Sequence, residues 1–333
     1  MTTAHMTKTP TPTTPTTAPV ADRVALGAML YGTTVDEATA FDLLDRYVDA
    51  GGEWVDTADC YAFWADPSGL GGQSELLLGR WLAARPGVRD RVKIATKVGC
   101  ECLTPNSWPE ASEGLAPEVV HRVGRQSLER MRIDHIDLLW AHRDDEQVDQ
   151  TATVQAFGEL VRDGVVGRVG QSNTALWRTE RARGIAASQG LVGPTAVQLR
   201  YSYLQPRPMV RGRDHQHRFG WVTDELIDWA AQTPDTMVWA YSSLMSGAYD
   251  RIDKEISAAF AHEGNDRRLA ALSSVAGELG VSRSEVVLAW LTGGSPMIMP
   301  IIAPSRPEQL DACVRGALLD LPIELRERLD DAW

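Results

Sequence analysis

The chain has 333 residues, 44% of them hydrophobic, with a formal net charge of −12 and a pI near 5.1. Its acidic balance argues against the basic surface that nucleic acid or an anionic membrane rewards, and leaves a small molecule as the expected partner. The length suits one α/β barrel, which routinely uses about 250 residues or more around a single core.

Residues 1–21 hold nine Thr and four Pro with almost no large apolar side chains. Such a segment cannot bury a core and lacks the apolar stretch of a secretory signal, so it is expected to be a disordered tail on a cytoplasmic protein. The barrel is expected over 22–333. No run in it approaches the roughly 18 apolar residues of a membrane span.

Beyond the tail, short β-rich runs alternate with segments of helical period. The runs 24–29, 53–56, 92–96, 136–140, 165–169, 196–199, 237–241 and 297–302 are eight expected strands. Thr34 and Glu37 form an expected capping box before a helix that Gly51 ends. Pro117 suits a first helical turn, Leu269, Leu272, Val275, Ala276 and Leu279 draw an apolar helical stripe, and Ser282 with Glu285 repeats the capping signal. Regular alternation implies right-handed crossovers and a parallel sheet, and eight units predict a (β/α)8 TIM barrel. A doubly wound sheet would carry its glycine fingerprint after the first strand, but Gly69-Leu70-Gly71-Gly72 has the wrong spacing and falls in a loop.

Segments 62–73, 99–115 and 201–220 are long loops on the expected catalytic rim. Trp64 and Trp108 are expected to wall an apolar substrate pocket, whereas Trp54 and Trp140 fall inside strands as core. The third loop gathers Arg207, Arg211, Arg213, His215, His217 and Arg218, which read as solvated surface; its two histidines lack a third ligand, and no metal is expected. Cys60, Cys100, Cys102 and Cys313 are few, and Cys100-Glu101-Cys102 lacks the two-residue gap of zinc or redox pairs, so free thiols in a reducing compartment are expected.

Three segments carry the chemistry: Asp56-Thr57-Ala58-Asp59-Cys60-Tyr61, Ala95-Thr96-Lys97 and Leu138-Leu139-Trp140-Ala141-His142. Each lies at the end of an expected strand, and strand ends of a parallel barrel converge on one rim. Asp56, Tyr61, Lys97 and His142 are therefore expected to meet around one reacting atom. Hydride addition to a carbonyl builds negative charge on oxygen, which a phenol can neutralise if its pKa is brought down from about 10. Lys97 would favour the Tyr61 phenolate, Asp56 would hold Lys97, and His142 would orient the carbonyl oxygen.

In these residues the chain resembles the aldo-keto reductase superfamily, whose tetrad is Asp, Tyr, Lys and His on successive barrel strands. Gly170-Gln171-Ser172-Asn173, Ala196-Val197-Gln198, Ala240-Tyr241-Ser242-Ser243-Leu244 and Pro307-Glu308-Gln309-Leu310 look like the family's coenzyme segments, extending the resemblance over roughly 22–330. It implies NADPH-dependent reduction of an aldehyde or ketone. Ser172, Asn173 and Gln198 would then hold the carboxamide, Tyr241 would stack on the nicotinamide, and Ser242, Leu244, Ser305, Arg306 and Gln309 would line the rest of the coenzyme. Arg306 would face the 2′-phosphate. As bare residues, Ser172 and Asn173 would equally cap a helix near Ala175, Tyr241 would be a core aromatic, and Ser305 an N-cap beside a solvated Arg306.

The last loop departs from the pattern at Ala303, where many relatives carry Gly or Lys, and at Ala312-Cys313, where Glu-Asn is common. The superfamily also includes channel-associated β subunits that keep barrel, coenzyme and tetrad, so a regulatory or redox-sensing subunit is the alternative role. The resemblance names neither the carbonyl nor the oligomeric state.

Overall fold

Eight parallel strands close into a barrel, each paired with the next and β1 with β8. The structure, a computed structural model, describes residues 20–207, 219–233 and 235–333. The strands are β1 (Ala25–Gly27), β2 (Trp54–Asp56), β3 (Lys93–Val98), β4 (Ile136–Ala141), β5 (Val166–Ser172), β6 (Ala196–Arg200), β7 (Met237–Tyr241) and β8 (Ile298–Ile302). The helices between and after them are α1 (Glu37–Asp49), α2 (Gln73–Ala84), α3 (Pro117–Met131), α4 (Gln150–Arg162), α5 (Leu176–Ser188), α6 (Asp224–Gln232), α7 (Glu263–Leu279), α8 (Arg283–Thr292), α9 (Pro307–Leu318) and α10 (Ile323–Asp330). This is the expected (β/α)8 barrel. Strand β3 runs past the expected end because Lys97 and Val98 go on pairing with Trp140 and Ala141, and β5 likewise reaches Ser172 opposite Gln198.

Period two sorts each strand between two cores. On β2 and β3, Val55 and Ile94 point outward into the layer that packs against the helices, whereas Trp54 and Ala95 point into the barrel. The interior is filled by Trp54, Trp140 and Trp239, which meet edge to face with ring centroids 5.2 and 5.3 Å apart. Ala25, Ala95 and Ala196 supply the small positions that let three indoles share one barrel. Gly170 is the tightest case, because a Cβ there would lie 2.2 Å from Cε3 of Trp140.

Local signals behave as sequence chemistry predicts, with two corrections. Pro117 opens α3, and Ser282 with Glu285 closes a complete capping box on α8. Helix α1, however, is capped by Asp36, whose carboxylate accepts from the Thr39 amide, and not by Thr34. Aspartate next to the first helical residue reaches that amide directly, so it displaces the more distant threonine. Of the expected tail, residues 1–19 lie outside the described residues, but Val20 is in the core and Ala21 bridges to Gly52. The packed chain therefore includes both. Arg211, Arg213, His215, His217 and Arg218 also lie outside the described residues; Arg207 is exposed and donates to the Ala258 and Ala259 carbonyls.

All four cysteines are buried and free. Among the described residues, no helix is long and apolar enough to cross a membrane. Substituting Gly170→Ala should destabilise the barrel by about 1–3 kcal/mol, the usual cost of overpacking. Urea unfolding followed by tryptophan fluorescence measures this, and an unchanged midpoint would show that Trp140 can move aside.

Candidate active site

The rim is built from inward-facing positions one step above the tryptophan layer. Asp56 follows Trp54 by two residues and Lys97 follows Ala95 by two, so both side chains point into the barrel at its C-terminal end. Lys97 is wholly buried and donates to Asp56 Oδ2 at 2.5 Å and to the Thr57 carbonyl at 2.7 Å. The other carboxylate oxygen of Asp56 accepts from Gln198 Nε2 at 3.0 Å, which carries the network across to β6. Burial pushes the Asp56 carboxyl up, with Lys97 opposing it.

Tyr61 is held over this pair by a clamped loop. Its carbonyl accepts from the Gly72 and Ser74 amides, and the Ser74 hydroxyl lies 2.7 Å from that of Thr57 while donating to the Ala28 carbonyl. At Gly71 a Cβ would come within 2.4 Å of Cys60 Cα, so only glycine lets the start of α2 close on the tyrosine loop. The Lys97 ammonium lies 4.7 Å from the centroid of the Tyr61 ring, and the His142 ring meets Tyr61 edge to face at 5.6 Å. Thus the four residues do come together.

The Tyr61 phenol departs from expectation in one respect. Burial, with the Asp56 charge next, holds it well above its ordinary value, against the lowering expected from Lys97. The reason is that Asp56 takes up the ammonium's charge, leaving a nearly neutral pair beneath the ring. Burial likewise raises the Cys60 thiol and takes Cys100 to about 12, so neither is a resting nucleophile.

A cleft of about 1210 Å³ opens above these groups. Asp56, Tyr61 and His142 line its floor, while Lys97 sits just behind. Trp64 and Trp108 line the mouth with Phe63, whose ring centroid lies 5.0 Å from that of Trp64 and 6.3 Å from that of Trp108. On the far wall, Ser172 donates to the Gln198 carbonyl, and Asn173 Nδ2 donates to the Ser172 hydroxyl and the His142 carbonyl. Tyr241 donates to Asn173 Oδ1 at 2.7 Å. Neither Ser172 nor Asn173 caps α5, whose N-cap is Ala175 without a side-chain bond. Both residues line the cleft, with their polar groups bonded to one another and to the rim.

The outer end of the cleft is suited to phosphates. Ser242, Leu244, Ser305, Arg306 and Gln309 all line it. Arg306 is the N-cap of α9 and is exposed, while Gln309 Oε1 accepts from both the amide and the hydroxyl of Ser305. Ser242, Met245 and Ser246 have φ of 57°, 49° and 55°, left-handed positions that hold the loop after β7 in a strained form typical of ligand clamps. An aromatic face at one end and cations with the N-terminus of α9 at the other fit a dinucleotide coenzyme.

Sequence reasoning missed several lining residues. Arg200 lies on the rim opposite Tyr241, with its guanidinium 5.4 Å from that ring and 5.5 Å from Trp221. Its place at the end of β6, two residues after Gln198, was the available signal. Arg251 and Lys254 also line the outer end. No motif marks them. His121 and His135 are structural: the first pairs with Glu159 and the second with the Gly164 carbonyl.

Comparisons with known proteins agree with this architecture. The model of the aldo/keto reductase family matches residues 23–333. The chain is 29% identical over 311 residues to the uncharacterized oxidoreductase YrpG of Bacillus subtilis (strain 168), covering 93% of this chain and 92% of the relative. It is 28% identical to the norsolorinic acid reductase stcV of Emericella nidulans, over 92% of this chain and 77% of the relative. It is also 26% identical to a putative voltage-gated potassium channel subunit beta of Schizosaccharomyces pombe, over 92% and 87%.

Because Lys97 and Asp56 are buried together, removing one partner should cost about 3–5 kcal/mol by stranding the other charge. Lys97→Met is therefore expected to be much less stable than the double variant Asp56→Asn with Lys97→Met. Chemical denaturation of the two checks this, and equal stability would show that the carboxylate needs no partner.

Proposed function

The chain belongs to the aldo/keto reductase family, and from that premise we propose that it reduces an aldehyde or ketone to an alcohol with NADPH as coenzyme. One observation carries the reading: Tyr61 and His142 flank the floor of a cleft directly above the buried Lys97–Asp56 pair. When bound, the reduced nicotinamide supplies the hydride.

The chain's own residues supply the rest. His142 hydrogen-bonds the carbonyl oxygen and fixes its direction. The Tyr61 phenol, whose proton burial holds more tightly than usual, passes that proton to the oxygen as negative charge grows there. The phenolate left behind lies beside the Lys97 ammonium, which stabilises it only once it forms. Asp56 keeps Lys97 in place through the short charged bond, and Gln198 keeps Asp56.

Ser172, Asn173 and Gln198 orient the carboxamide, and Tyr241 supports the ring. Ser242, Leu244, Ser305 and Gln309 run along the coenzyme, and Arg306 selects the 2′-phosphate through a bidentate pair. Phe63, Trp64 and Trp108 favour an apolar or aromatic carbonyl over a sugar. Four free thiols suit a reducing compartment such as the cytoplasm.

Three experiments test the assignment. Tyr61→Phe should abolish carbonyl reduction while NADPH still binds, measured by loss of reduced-coenzyme absorbance beside a fluorescence titration; near-normal turnover would remove Tyr61 from the mechanism. If the wild-type chain binds NADPH yet turns over no carbonyl in a broad panel, the regulatory-subunit role replaces the enzymatic one. Arg306→Ala should weaken NADPH by about 1.5–3 kcal/mol, the range for hydrogen bonds to charged groups, and leave NADH nearly unchanged. Equal weakening of both coenzymes would reassign Arg306 to the loop or the pyrophosphate.

A further inference from the structure

A thiol, an imidazole and a carboxylate converge beside Tyr61. Cys60 Sγ lies 3.6 Å from His142 Nδ1, and one carboxylate oxygen of Asp59 is within 4.8 Å of both. Zinc–sulfur bonds of about 2.3 Å and zinc–nitrogen bonds of about 2.0–2.1 Å, set at a tetrahedral angle, hold S and N roughly 3.5 Å apart. Sulfur and nitrogen are thus already spaced as they would be across one shared ion.

The third donor is ready for a cation. Asp59 is 1% exposed; its Oδ1 accepts from the Cys60 amide at 2.7 Å, but its Oδ2 has no hydrogen-bond partner among the described residues. A buried carboxylate oxygen without a donor is costly unless a proton or a metal satisfies it. Glu75, Glu101 and Glu113 add negative potential at Asp59, opposed by Arg130. Cys60 and His142 line the cleft, which gives an ion a route from solvent, while Asp59 lies behind them.

We propose that Asp59, Cys60 and His142 form an inhibitory zinc site, with three protein ligands and the fourth position facing the cleft. The ion forms its bond with the Cys60 sulfur as the thiol proton leaves to solvent, and it sheds hydration water in exchange; no oxidation state changes. A thiolate and an imidazole select zinc over magnesium or calcium. Inhibition follows because the bound ion and the ligand at its fourth position fill the cleft floor beside Tyr61 and His142, where the carbonyl oxygen must sit. Only this inhibitory consequence rests on the reductase reading; binding does not.

Cobalt is the probe, because a thiolate ligand gives an intense near-ultraviolet charge-transfer band and a tetrahedral site gives strong visible bands. The full chain, stripped of metal, should develop both with one equivalent of Co2+, and Zn2+ should abolish them. Cys60→Ser should lose the ultraviolet band, whereas Cys100→Ser and Cys313→Ser keep it. Asp59→Asn should keep the band and weaken binding about tenfold or more, which covers the case in which the serine variant fails to fold. Micromolar Zn2+, but not Mg2+ or Ca2+, should suppress carbonyl reduction, with recovery on adding a chelator. No sulfur-to-cobalt band in the wild-type chain, or a band that survives Cys60→Ser, overturns the site. Zinc binding with undiminished turnover overturns the inhibition alone. A cobalt band in a chain without reductase activity upholds the site and refutes the reductase reading instead.

Discussion

A lysine and an aspartate stand inside the barrel because each satisfies the other. Removing either ion from water costs several kcal/mol, and only close pairing with further hydrogen bonds offsets it. Here Lys97 donates to Asp56 and to the Thr57 carbonyl, and Asp56 accepts in turn from Gln198, so a single network joins β2, β3 and β6. The same pairing bears on the proposed chemistry: with Lys97 answered by Asp56 and burial holding the Tyr61 phenol above its ordinary value, the ammonium's attraction would act on a phenolate once one formed.

The network needs a dry and rigid floor. Three edge-to-face indoles fill the barrel below the pair, and the alanines and Gly170 facing them keep that layer close-packed. Above the pair, the Tyr61 loop is fixed by its carbonyl to the start of α2 and by the close approach of Gly71. A side chain held from both sides has little freedom left to lose when a ligand binds, which is how a scaffold lowers the entropic cost of orientation.

The wall opposite Tyr61 is organised by Asn173. Its side chain links His142, Ser172 and Tyr241, and so joins the ends of β4, β5 and β7. Its left-handed backbone, with φ of 52°, is uncommon for a residue other than glycine, and these bonds over-determine it. A ligand on this wall would meet polar groups already set in position.

Much of this was legible in the chain itself, since period-two runs and breaker residues fix which positions are strands and which face inward. Asp56, Lys97 and His142 could therefore be assigned to one rim from their places at strand ends, and Ser282 with Glu285 to a helix start. Thr34 could not be separated from Asp36 as a cap, because both are good N-caps and the winner depends on where the first helical residue falls. Nor does any pattern show that Gln198 reaches Asp56 across 142 residues, that Arg200 stacks near Tyr241, or that Cys60 rests against His142. Sequence determines the direction of each inward side chain; which of them touch is decided by the register of the closed barrel and by the loop clamped over it, because those distances exist only once all eight strands have paired.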